Sequence, residues 1–394
     1  MHRSAFVVGG PDDVEPLRPY VVNLSCGEFS RDGDMQTSAA DVDAIFDEHL
    51  PAFVERTAPR FAAHPVPLVI WAHGGIVSER AGLTIAGHQV PWWLSNGAYP
   101  LHFVWETGFL DTMKQILRLQ DDHPGGPGGP ADPAAEPPAG RFGSQLWTAV
   151  KRNAALASSP WGGARYVAER LAGFCARNDG RIAVHAAGHS AGAIFHSHFI
   201  PAAREQGAPV FDSVQLLAPA LRVDGFRSQL LPLVGHDIDR LTVYTMNMRA
   251  ENDDNCFQLY RRSLLYLVSR VFEPESDAPI LGLEQSIRQD AELVAAFGLQ
   301  PGGQSRAEVI WSPTQDDAPP DSRSSATSHG GFDNDVDTMN SVARRILRRR
   351  DIVEFPSGPR SAAGELRSPV GGRPAMIGLP AGRGARITAS EAGW

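Results

Sequence analysis

Cysteine is scarce in this chain. Its three cysteines, Cys26, Cys175 and Cys256, are odd in number and far apart. They form no C-x-x-C pair, which excludes a disulfide framework and the thiolate-rich zinc sites that need closely spaced ligands. Long apolar runs are missing as well. No stretch approaches the roughly 20 residues of a membrane-spanning helix. The start, Met1 to Gly10, is too short an apolar segment for a secretory signal before it meets Pro11-Asp12-Asp13. Reduced thiols without a membrane span predict a cytoplasmic protein. Clustered positive charge is also missing over most of the length. The net charge is −9, but from Ser341 onward ten arginines face four acids, so that end carries +6 and the preceding residues −15. An acidic body excludes a nucleic-acid-binding surface, because phosphate contacts need grouped Lys and Arg. The glycine-rich run Asp121–Gly140 lacks a following Gly-Lys-Ser/Thr and a strand directly before it, which excludes a phosphate loop.

What is present is an ordinary globular composition. Of 394 residues 42% are hydrophobic, enough for a full core. Strand-like runs at Tyr20–Ser25, Pro67–Ala72, Leu101–Trp105, Arg181–Ala187, Ser213–Ala218, Leu241–Met246 and Glu308–Ser312 alternate with helix-like runs. The helical runs are 39–57, 78–96, 108–119, 146–178 in two pieces, 191–205, 226–233, 257–272, 283–297 and 336–350. This alternation predicts an α/β fold: a mostly parallel central sheet with helices on both faces. Residues 1–19 read as an N-terminal extension and 20–354 as one domain. Within it, 121–140 is too rich in proline and glycine for a helix or a central strand and reads as a surface excursion. Residues 355–394, rich in Pro, Gly, Ala, Ser and Arg, read as a flexible tail. The arginines from Arg344 to Arg350 sit where cations complement a helix C-terminus.

One pentapeptide carries chemistry. Gly188-His189-Ser190-Ala191-Gly192 lies between a strand-like and a helix-like run. In such a G-x-S-x-G turn the serine is held tightly with its hydroxyl presented, and Gly188, Ala191 and Gly192 remove side chains that would collide with adjacent elements. The following helix aims its positive end at Ser190, favouring developing negative charge. An oxyanion hole needs two N–H donors: Ala191 is one, and Gly75 of His73-Gly74-Gly75 is the first choice for the other, with Gly74 or Ile76 next. A serine nucleophile needs a base. His329, in Ser328-His329-Gly330-Gly331-Phe332-Asp333, follows the last strand and precedes the last helix. His196 and His198 lie on the helix behind the serine. The orienting acid is expected in the loop after Leu241–Met246: Asp254 first, then Asp253 and Glu251. Asp335 suits a helix N-cap.

In this order these motifs resemble the α/β-hydrolase superfamily over roughly residues 20 to 350. Two segments, Tyr260–Ser269 and Ser328–Asp335, look like those of uncharacterised bacterial serine hydrolases. The resemblance implies an eight-stranded, mostly parallel sheet and cleavage of carboxylic esters through a Ser190–His329–Asp254 triad and an acyl-enzyme. The long interval between His73 and Ser190 implies an inserted cap at 108–165. A peptidase, amidase or acyltransferase on the same triad is the alternative, and a non-catalytic interaction module with this fold the more distant one. The expected partner is a small-molecule or acyl substrate, without a cofactor. His185, His189, His196 and His198 do not make a metal site in this reading, since helical residues two apart point about 200° from each other. Trp92, Trp93, Trp105, Trp147 and Trp161 are expected mostly in the core, with some lining an apolar pocket.

Overall fold

A computed structural model describes residues 13–57, 64–75, 77–105, 136–256 and 260–357. Eight strands form one sheet: β1 (Val21–Ser25), β2 (Glu28–Phe29), β3 (Val66–Ala72), β4 (Tyr99–Trp105), β5 (Ile182–His189), β6 (Phe211–Leu217), β7 (Leu241–Met246) and β8 (Ala307–Ser312). Their order is β2-β1-β4-β3-β5-β6-β7-β8. Every neighbouring pair is parallel except the β1–β2 hairpin. The architecture is therefore α/β, a mostly parallel sheet flanked by helices. Strands β3, β4 and β7 are buried at every position. Burial on both faces is why they read as continuous apolar runs and not as alternating ones.

The helices used below are α1 (Ala39–Ala44), α2 (Leu50–Thr57), α3 (Glu79–Ser95), α4 (Glu136–Ala157), α5 (Gly163–Arg177) and α6 (Gly192–Glu205). They continue with α7 (Val223–Gln229), α8 (Met248–Asp253), α9 (Leu264–Leu267), α10 (Glu284–Arg288), α11 (Ala291–Ala296) and α12 (Val336–Leu347). Starts follow local chemistry. Ser38 and Asp41 form a reciprocal capping box, the Ser78 hydroxyl accepts from the Ala81 N–H, and Asp335 accepts from the Thr338 N–H. Helix α3 continues through Pro91, and Gly97, at φ +78°, ends that segment with its N–H on the Leu94 carbonyl.

Several sequence expectations are revised. The proline-rich residues 136–140 are the first turn of α4 and not part of a loop; proline is tolerated there because first-turn N–H groups have no intrahelical acceptor. Of the run expected as one helix over 257–272, residues 257–259 lie outside the described residues, and the described part is helical from Leu264. Tyr260 forms an antiparallel bridge with Cys256. The run 283–297 divides at Asp290, which caps α11. Helix α12 stops at Leu347 with Arg348 left-handed, so Arg348 to Arg350 lie past its end. Phe355 is buried against Trp92 and His88, so the domain includes the first residue assigned to the tail. The helix expected at 108–119, most of the 121–140 excursion and residues 358–394 lie outside the described residues. No helix among the described residues is long and apolar enough to cross a membrane.

The strand order sets where a site can form. After β3 the chain moves outward to β4, then returns to place β5 on the other side of β3. At such a reversal the loops leaving the two strands diverge and open a crevice at their carboxyl ends. The loop after β3 is His73-Gly74-Gly75, and the turn after β5 is Ser190.

Candidate active site

Ser190 follows β5 directly and has φ +54°, the left-handed region that a side chain occupies at a cost of roughly 1–3 kcal/mol. The surrounding contacts enforce it. The Ser190 N–H donates to the Leu217 carbonyl at 2.8 Å, and the Ser190 carbonyl accepts from Ala220 at 3.0 Å and Ala193 at 3.1 Å. The turn is thus bound to the end of β6 on one side and to the start of α6 on the other. A methyl group on Gly192 would overlap the Ala72 carbonyl oxygen, so only glycine lets α6 start this close to β3. Helix α6 begins two residues after Ser190 and directs its positive end there.

The loop after β3 lies against this turn. A Cβ placed on Gly74 would stand 3.2 Å from the Ser190 Cβ, and one on Gly75 would stand 2.9 Å from the Ala191 Cβ and 3.0 Å from Val150. The residues expected to supply N–H donors, Gly75, Gly74 and Ala191, are therefore adjacent; Ile76 lies outside the described residues. His73 ties the loop down. Its Nε2 accepts from the Trp105 N–H at 3.1 Å, so Nδ1 carries the hydrogen and donates to the Gly74 carbonyl at 2.8 Å. Burial lowers the His73 pKa to about 4, which keeps this neutral tautomer. Above the loop, Trp147 and Val150 of α4 pack on Gly75. The Trp147 Nε1–H donates to buried Glu273 at 2.6 Å, and Lys151 and Arg222 pair with the same carboxylate. Trp71, Trp92, Trp93, Trp105 and Trp147 are buried, whereas Trp161 is 90% exposed.

His329 stands on a short 3-10 turn, His329–Gly331, between β8 and α12. Its Nε2 is 2.9 Å from the Ser190 Oγ. Burial, and then the neighbouring His189 ring, hold its pKa well below the usual histidine value. The residues on either side look like free loop in the sequence but are laced together. The Ser312 hydroxyl donates to the Ala326 carbonyl at 2.6 Å, and the Ser324 hydroxyl meets Ser312 at 2.9 Å and Thr338 at 2.7 Å. Three elements that share no local pattern therefore hold one imidazole over one hydroxyl.

The three candidate acids separate. Asp254 reaches His329, but through the main chain: its Oδ2 accepts the His329 backbone N–H at 2.9 Å, while Oδ1 accepts from the Asn255 N–H. The ring Nδ1 of His329 is buried with no hydrogen-bond partner among the described residues. Asp253 is exposed and faces Arg249 at 3.6 Å. Glu251 is buried against the Ser263 hydroxyl, and burial pushes its pKa up to about 8. A carboxyl raised this way stabilises the fold in its protonated form, and that contribution is lost as pH rises from the unfolded value near 4.5 through 8. Glu251→Gln is therefore expected to raise the melting temperature at pH 9 by about 5 °C or more, and by much less at pH 5. Equal shifts at both pH values would mean that the carboxyl is not held neutral.

Sequence reasoning did not connect His189 to the base. The His189 Nε2 lies 2.9 Å from the His329 carbonyl oxygen, and its Nδ1 lies 3.8 Å from buried Asp333. The other histidines have separate surroundings: His185 meets Ser213 at 2.9 Å, and His196 donates to the Ala187 carbonyl at 2.9 Å. No group of metal-ligating side chains converges among the described residues. Neither a family model, nor a curated protein, nor a solved structure matches the chain.

Proposed function

We propose that this chain is a serine hydrolase of the α/β-hydrolase type, acting on carboxylic esters through an acyl-enzyme. The observation that supports this most is a single one: the Ser190 hydroxyl, on a left-handed residue between strand and helix, 2.9 Å from the His329 Nε2. In this reading the Ser190 Oγ attacks the acyl carbon while His329 Nε2 takes its proton. The same nitrogen returns the proton to the leaving alcohol as the carbon–oxygen bond breaks. Water, deprotonated by His329, then attacks the acyl-enzyme and releases the acid. The oxyanion is held by the backbone N–H groups of Ala191 and Gly75, whose adjacency supports the assignment, with Gly74 beside them. Asp254 serves as the acid of the set by holding the His329 main chain.

A fluorophosphonate probe, which forms a covalent bond only with an activated serine, tests this directly. Folded wild-type protein is expected to label, and Ser190→Ala is not. Absence of labelling in the wild type, or equal labelling of the variant, would overturn the proposal. A panel of chromogenic esters beside peptide substrates tests the ester preference, and faster release from peptides would replace it with an amidase reading.

A further inference from the structure

Resting on the Ser190–His329 reading, one question concerns what orients the base. In a Ser–His–acid triad, a carboxylate on Nδ1 sets both the tautomer and the direction of the ring. Here Nδ1 has no partner among the described residues, yet Nε2 is aimed at Ser190. Both main-chain polar groups of His329 are instead held by side chains from other loops. The N–H is taken by Asp254 after β7, and the carbonyl is met by His189 at the end of β5. A carbonyl can only accept, so the His189 Nε2 must carry a hydrogen. Its Nδ1 lies 3.8 Å from the buried Asp333 carboxyl, beyond hydrogen-bond reach, and has no hydrogen-bond partner among the described residues. The groups packed around His189 are His329, Asp333 and, through the glycine loop, His73.

We propose that His189, the residue beside the nucleophile, is a positioning residue for the base: it grips the His329 carbonyl through its Nε2–H. With Asp254 on the N–H, this makes a two-sided clamp on the His329 backbone that takes over the orienting work usually done at Nδ1. The rigidity of the elbow is thereby passed to a loop 139 residues further on, because His189 ends β5 directly before the left-handed Ser190.

The test is the rate of Ser190 labelling by a fluorophosphonate in wild type, His189→Phe and His189→Gln. Glutamine can place an N–H donor where Nε2 stands, and phenylalanine cannot. His189→Phe is expected to slow the bond-forming step at least about ten-fold, with probe affinity within about two-fold, because small misplacements of a base cost rate and not binding. His189→Gln is expected to recover to within about three-fold of wild type, on the same geometric argument. Equal rates for the phenylalanine and glutamine variants, or a loss carried by probe affinity, would overturn the proposal. Should His189→Phe fail to fold, long-range ¹H–¹⁵N spectra of the wild type decide: hydrogen on His189 Nε2 is required, and a bare Nε2 overturns the clamp. Wild type that does not label at all defeats the hydrolase reading itself, which separates the two failures.

Discussion

Alanine in place of His329 is expected to slow Ser190 labelling and ester turnover by roughly 10²–10⁴-fold, the range over which a positioned general base accelerates proton transfer. The Nε2 is the group within reach of the Ser190 hydroxyl at 2.9 Å, so no neighbour replaces it. The Asp254 variants should behave differently from those of an ordinary triad. Where a carboxylate accepts from Nδ1, its change to asparagine costs about 10⁴-fold by favouring the wrong tautomer. Here the Asp254 Oδ2 accepts from a backbone N–H, which an asparagine carbonyl also does. Asp254→Asn is therefore expected to lose less than about ten-fold, and Asp254→Ala considerably more, because only alanine leaves the His329 N–H without its acceptor. A 10⁴-fold loss in Asp254→Asn would show that the carboxylate swings to the ring during turnover. The pH profile should carry the same signature. With the His329 pKa held low by burial, the base stays neutral, and labelling persists, below the usual histidine range.

Acid is expected to unfold this protein through its buried histidines. Burial lowers the pKa of His73 and His196 to about 4 and of His102 and His185 to about 3. Unfolded, each would titrate near 6.5. A group depressed in the fold contributes stability that is complete above the unfolded value and is lost as pH falls toward the folded one. At pH 5 each of the four has given up roughly 2 kcal/mol. Glu251, raised to about 8, works the other way and returns roughly 3 kcal/mol between pH 7 and 5. The histidines win, and the net loss is comparable with the few kcal/mol by which whole domains are stable. The melting temperature should therefore fall by about 5 °C or more between pH 7.5 and pH 5. His102→Phe, at a position beside the Trp71 ring, should flatten part of that dependence. A melting temperature constant over this interval would show that these rings are not held neutral in the fold.

The site and its scaffold differ in how much of them could be read from the chain. Apolar runs and capping residues such as Ser78 and Asp335 are local signals. They placed most strands and helix starts to within a few residues, because burial and N-terminal capping act over neighbouring positions. The strand β2, only two residues long, leaves no periodic signal in the sequence. Within the run 257–272, an apolar composition suited to a helix does not show that Tyr260 is used for a bridge to Cys256.

Local sequence also singled out Gly188-His189-Ser190-Ala191-Gly192, because the close packing of β5, α6 and β3 admits only small residues around the serine. It brought forward His329 and three neighbouring acids. It did not contain what separates them. Whether Asp254 meets the ring or the backbone of His329, whether Glu251 is buried with Ser263, and whether Asp333 faces His189 all depend on loops far apart in the chain. Such contacts are made by elements that meet only after the sheet has ordered its strands. On its own, the sequence determined the elements, the serine turn and the small set of residues able to do chemistry, because these follow from propensity, patterning and steric bulk at adjacent positions. Only the tertiary structure decided which nitrogen meets the serine and which groups hold the base, because hydrogen-bond direction and desolvation exist only once distant chain segments are packed together.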